Sequence, residues 1–220
     1  MIKNDKTKGI IYIIISAFFF ALMGLFVKLS GDLPIIQKSF FRNAVAMIFA
    51  FVLITKRKEW ALPKGKNIVF LLIRAVAGTA GILCNFYALS NMNLADASML
   101  NKLSPFFAVV FSLFILKEKA NFKQILAVVI AFIGALFVMK PSFSFDAFPA
   151  FMGFLGGMGA GLAYACVRKL TTNGFKGNLI IFYFSAFSCL VTLPWLLFDF
   201  VPMSVTQWLF LILAGLSASG

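Results

Sequence analysis

Three stretches of this chain run for the thickness of a bilayer without a charged residue. Gly9 to Val27 is 19 residues, and Phe148 to Val167 and Leu179 to Phe198 are 20 residues each. At 1.5 Å per residue, about 20 helical residues cross a hydrocarbon core of about 30 Å. Inside lipid a backbone must satisfy its own hydrogen bonds, which leaves helices or closed barrels. The chain is 62% hydrophobic and 12% charged, against roughly 25% charged in a soluble domain. A soluble protein of 220 residues could not bury that much apolar surface, whereas lipid accepts it. The fold expected is an all-α polytopic membrane protein. Its helices fall at 9–29, 34–55, 67–89, 94–116, 122–139, 148–168, 178–198 and 203–220. The first run is too long for a signal-peptide core and is read as a retained helix.

The formal charge of +13 invites a nucleic-acid reading, but its distribution points elsewhere. Lys3, Lys6 and Lys8 precede the first helix. Five basic residues from Lys56 to Lys66 follow the second, Lys117, Lys119 and Lys123 the fourth, and Arg168, Lys169 and Lys176 the sixth. Fourteen basic residues thus lie on one side of the membrane and two, Lys28 and Lys140, on the other. The positive-inside rule places the N-terminus in the cytoplasm. There is no histidine, and Cys84, Cys166 and Cys189 stand singly in apolar runs. The usual general base and the usual metal-ligand spacings are therefore missing, and no cofactor or metal is expected.

A shift of 144 residues lays the first two helices on the sixth and seventh. Gly9 meets Gly153, Phe20 meets Tyr164, Ala21 meets Ala165 and Phe40 meets Phe184, although only five of 45 ungapped positions are identical. The matched loops carry opposite basic bias. Asp32 marks one, and Arg168, Lys169 and Lys176 mark the other. That inversion is what two oppositely oriented five-helix repeats require, and such repeats typify secondary transporters. The repeats are read as 9–139 and 148–220. The second is truncated, with about eight helices present of an expected ten.

Four cations remain within the apolar runs: Lys38, Arg42, Arg74 and Lys102. Each costs at least about 2.5–3.5 kcal/mol on insertion scales. Arg42 and Lys102 both lie about 12 Å from the same membrane face at helical rise, where they could address one cavity and hold the negative group of a substrate. A structural tether to helix-end carbonyls is the alternative. Lys38 shares a helix face with Arg42 and can snorkel to the surface, as Arg74 can to the cytoplasmic side. Pro105 removes the helical partner of the Asn101 carbonyl beside Lys102, which makes it a kink that exposes polar backbone. Asn101 and the mid-helix Tyr164 could line the cavity. Asn43 and Asn85 could do so too, or could bond between helices. Gly153, Gly157 and Gly161 recur every four residues and permit close helix contact.

The chain resembles the EamA-type branch of the drug/metabolite transporter superfamily. The resemblance rests on Ser16–Ala21, on Arg42 and on the stretch from Asp96 to Lys119. That stretch holds Ala-Ser-Met-Leu-Asn-Lys-Leu-Ser-Pro-Phe-Phe and then Phe-Ile-Leu-Lys-Glu-Lys; Gln124 and Gly134 follow it. It implies ten helices in two inverted repeats, of which the first is covered and the second stops in its third helix. It also implies a secondary transporter of small organic metabolites working by alternating access in the plasma membrane, not an enzyme. The basic side chains favour anionic or carboxylate-bearing substrates. A non-transporting membrane subunit or an inactive fragment is the alternative. The partners implied are the bilayer and a small molecule, with a homodimer left open and nucleic acid excluded.

The topology has a direct test. In a chain lacking native cysteines, a single cysteine replacing Lys64 should react with an impermeant reagent only from the cytoplasmic side. Labelling from outside intact cells would reverse the assignment.

Overall fold

In the computed structural model the described residues are 2–116, 121–139 and 146–219. They form nine helical segments: α1 (Ile2–Leu29), α2 (Ile35–Arg57), α3 (Lys66–Asn91), α4 (Leu94–Asn101), α5 (Ser104–Ile115), α6 (Phe122–Met139), α7 (Ala147–Thr172), α8 (Gly177–Phe198) and α9 (Val205–Ser219). Six spans are long and apolar enough to cross a membrane, with α4 and α5 counted together as Leu94–Ile115. Two shorter apolar helices, Ile125–Gly134 and Val205–Ala218, add to these. Large apolar side chains cover the outside, among them Phe114, Phe137, Leu197 and Phe198. In water this would be an aggregating surface, and in lipid it is the expected one. Lys117, Lys119 and Lys140 lie outside the described residues, as does the side chain of Gln124.

Short turns join the helices. Ser30 Oγ donates to Val27 O, and Gly31, at φ 71°, reverses the chain where a side chain would strain it. Gly174, at φ 83°, ends α7 in the same way. Its N–H donates to Thr171 O, and the Phe175 N–H donates to Leu170 O, closing the carbonyls that a helix end leaves open. At the end holding residues 30–34, the Gln37 side chain donates to Val201 O at 2.8 Å and accepts from the Val201 N–H at 3.0 Å. Gln207 donates to Ser30 O. At the opposite, basic end, Asn178 bonds Glu59 and Asn173 bonds Asn67.

The bundle is organised around α7. One side lies along α3, and another lies against α4 and α5. Both contacts bring backbone to backbone. A Cβ on Gly159 would sit 2.8 Å from Ala77 O of α3. One on Gly157 would sit 2.7 Å from Leu100 O, and one on Gly161 would sit 2.8 Å from Ser104 O and against Phe107 Cβ. Elsewhere α2 packs on α8, α1 on α9, α3 on α8 and α2 on α9. Exchange α1 with α7, α2 with α8 and α3 with α9, and these pairings interchange. The α3–α7 contact becomes α9–α1, α3–α8 becomes α9–α2, and α2–α8 maps onto itself. A glycine stands at each of the second pair of crossings. Gly78 of α3 meets Phe184 of α8, and Gly215 of α9 meets Val45 and the Arg42 carbonyl of α2.

The fourth span corrects one expectation. The sequence reading places a single helix over 94–116; the structure divides it at Lys102 and Leu103. Both residues stay right-handed, but the hydrogen bonds tighten: Leu103 N–H donates to Leu100 O and Phe106 N–H to Leu103 O, each three residues back. Pro105, in the first turn of α5, has no N–H for the Asn101 carbonyl.

Glycine substitutions separate these contacts from mere helix propensity. Gly161→Ala should lower stability by about 1–3 kcal/mol through overpacking. Gly134→Ala, at a position open to 4 Å, should be neutral or raise stability by up to about 1 kcal/mol. Thermal unfolding in detergent reads both. A neutral Gly161→Ala would show that the α5–α7 contact is loose.

Candidate functional site

Division of the fourth span opens a cavity of about 790 Å³ between α1, α3, α4–α5 and α7. Ser98, Asn101 and Lys102 line one wall, with Ser104 and Pro105 below them. Ser16, Ala17, Phe20 and Met23 of α1 face them, Asn85 comes from α3, and Tyr164 from α7. Lys102 is exposed to this space and Tyr164 is 44% exposed. Ser98 lies one turn before Lys102 and so shares its face. Local sequence explains the placement. The tightened turn ahead of Pro105 holds Lys102 at the joint between two helices, and the small residues of α7 let the joint approach Tyr164's helix.

The other cations lie elsewhere. Arg42 is 7% exposed and is not on the cavity wall. It sits behind Met23, donating from Nε to the Met23 thioether at 3.2 Å and from Nη1 to Asn43 Oδ1 at 3.0 Å. Arg42 and Lys102 therefore do not share a surface: Lys102 lines the cavity and Arg42 does not. Arg74 stacks its guanidinium 4.0 Å from the centre of the Phe184 ring and folds over Gly78, where any Cβ would strike Nη1. Its Nε is buried without a hydrogen-bond partner. Arg42, Arg74 and Tyr164 are within electrostatic reach of one another. Lys38 is buried at 5% exposure and donates to Gly31 O at 2.6 Å. It borders a separate pocket of about 400 Å³ with Lys28 and Asp32, and Lys28 caps α3 through Leu89 O.

Thus the structure brings Lys102, Asn101, Pro105 and Tyr164 to one cavity, sets Arg42 against Met23 and Arg74 against Phe184 off its wall, and sets Lys38 at its own pocket. Asn43 bonds between helices, donating to Ser188 Oγ of α8 at 2.7 Å, while Asn85 reaches the cavity. Met23 escapes a sequence reading, because a thioether in an apolar run carries no polar signal. Ser16 and Ser98 are legible only once Lys102 fixes which faces converge. Among the described residues, no three His, Cys, Asp or Glu side chains gather as a metal site would require. The cavity's chemistry is that of a polar, cationic wall facing an apolar one. It can hold an organic molecule by charge-assisted and neutral hydrogen bonds on one side and by apolar contact on the other.

The EamA-like transporter family model matches residues 7–140. The pseudopaline exporter CntI of Pseudomonas aeruginosa is 31% identical over 219 residues, covering 98% of this chain and 76% of that protein. Human solute carrier family 35 member G1 is 34% identical over 138 residues, 62% of this chain and 38% of that protein. A solved crystal structure that is 16% identical, covering 94% of this chain and 74% of its own, aligns with a TM-score of 0.69, which shows the shared fold.

The Asn43–Ser188 bond gives a prediction. A double-mutant cycle of Asn43→Ala and Ser188→Ala should return a coupling of about 0.6–1.7 kcal/mol, from the average to the maximum for interhelical side-chain bonds in membranes. Additive effects would mean that α2 and α8 are joined by packing alone.

Proposed function

The chain belongs to the EamA-like transporter family, and from that premise we propose that it moves small organic metabolites with a negative group across the plasma membrane by alternating access. It is a multi-pass membrane protein and a small-molecule transporter in coarse terms. Substrate class, route and orientation are the added reading. The observation that carries it is the cavity of about 790 Å³, with Lys102 exposed in its wall at mid-span. A cation held there against the cost of membrane burial is accounted for by an anionic visitor. Asn101, Ser98 and Tyr164 supply hydrogen bonds around it, and Phe20 and Met23 supply apolar contact. Arg42, one layer behind Met23, contributes positive potential rather than direct contact, and Lys38 serves the separate pocket near the Gly31 turn.

Two inverted repeats, 9–139 and 148–220, suit a mechanism in which one half rocks against the other. The interchange of helix pairings under the exchange of α1–α3 with α7–α9 supports that division. The basic-residue distribution supports a cytoplasmic N-terminus.

Vesicles carrying the protein and loaded with candidate organic anions provide the test. Lys102→Gln should weaken apparent substrate affinity by roughly ten- to a hundredfold, the worth of one charge-assisted hydrogen bond. Thermal stability should stay near that of the parent. An uncharged analogue should lose little. Lost stability with unchanged affinity in the folded fraction would make Lys102 a structural tether. Absence of substrate-dependent flux from the parent chain would favour a non-transporting membrane subunit.

A further inference from the structure

Two lysines share a pocket near the Gly31 turn, apart from the Lys102 cavity. The pocket has a volume of about 400 Å³, and Lys28, Asp32, Lys38 and Ser90 all line it. Lys38 stands four residues after Pro34, at the start of α2, where a lysine stem can carry its charge out to water. Instead it is 5% exposed and folds back to donate to Gly31 O at 2.6 Å. Lys28, near the end of α1, donates to Leu89 O of α3 at 2.9 Å. An ammonium has three donors, and each of these bonds uses one. Val27, Leu33 and Leu89 supply apolar wall around the charges. The pocket also adjoins the cavity. Leu89 lines both, and Lys28 follows the cavity residue Gly24 on α1, about 6 Å further along at helical rise.

We propose that this pocket is a second binding site, for a small amino dicarboxylate. Its wall carries two ammonium groups and one carboxylate. The complement is a ligand with two acid groups and one amine. Lys28 and Lys38 each take a carboxylate by a charge-assisted hydrogen bond. Asp32 takes the amine, and Ser90 adds a neutral hydrogen bond. The backbone bonds to Gly31 O and Leu89 O fix where the two ammonium groups stand, so little side-chain freedom is lost when a ligand arrives. A plain anion leaves Asp32 unmatched, and a plain amine leaves both lysines unmatched. The site is additional to the Lys102 wall, and its occupancy does not depend on transport.

Protection of a single cysteine tests this. Ser90 is exposed and lines the pocket, so Ser90→Cys in a chain lacking native cysteines is labelled with an uncharged maleimide at constant ionic strength. Three probes are compared: aspartate, succinate, which is the same skeleton without the amine, and β-alanine, which lacks one carboxylate. Aspartate should slow labelling saturably. Succinate should need about two- to fivefold more, the worth of one exposed ion pair, and β-alanine about tenfold more, the worth of one charge-assisted hydrogen bond. Asp32→Asn, at an exposed turn position, should erase the preference for aspartate over succinate. Lys38→Gln and Lys28→Gln should each raise the aspartate concentration needed by about tenfold; Lys28, which is exposed, and Asp32 carry the comparison if the buried lysine's variant fails to fold. Lys102→Gln should leave protection unchanged, which keeps this outcome distinct from that of the flux test. No saturable protection by aspartate, equal protection by succinate in the parent, or the same preference in Asp32→Asn as in the parent would overturn the site.

Discussion

The close approach of α7 to its two neighbours is the constraint from which the rest follows. Lipid tails are as apolar as leucine, so helices in a membrane gain little by hiding apolar surface from lipid and must gain by contact and hydrogen bonding instead. At Gly159 the backbone of α7 meets that of α3. At Gly157 and Gly161 it meets the joint between α4 and α5. A methyl group at any of the three would push backbone away. Because the helix is bare on both sides, the joint at Lys102 can be fixed in the interior instead of being shed to the surface, and Tyr164, one turn from Gly161, reaches the space that the joint opens.

Charge placement follows from that geometry. The fourth span puts Lys102 where it faces a polar volume. The second span puts Arg42 against Met23 of α1, and the third puts Arg74 against a ring of α8. The three cations are spent differently although their sequence surroundings look alike. One has open volume before it, one is buried against a thioether and an amide, and one lies partly buried on an aromatic ring.

The spans could be read from the sequence because bilayer thickness converts directly into run length, and the long runs correspond to α1, α7 and α8. Depth was legible for the same reason: rise per residue puts Arg42 and Lys102 at one level. Direction around the helix was not. Whether Arg42 meets the cavity depends on which face α2 turns to α8 and α9, and that is settled by packing at Ala46, Ala50 and Gly215. The separation of α4 from α5 was hidden because Lys102 and Leu103 remain right-handed; only the hydrogen-bond register tightens. Met23 was hidden because its sulfur acts as an acceptor only where an arginine is brought against it.

One feature of the packing concerns the order of manufacture. Helix-to-helix, α1 packs chiefly on α9, its face toward α4 being held off by the cavity. The ribosome delivers α1 first and α9 after all the other described helices. Until α9 arrives, α1 rests in lipid, and the wall that carries Ser16, Phe20 and Met23 has no fixed position. The α1 wall of the cavity is therefore fixed late in synthesis, when α9 meets α1. A stall in translation before Val205 would leave the α4–α5 wall packed on α7 and the α1 wall without its partner.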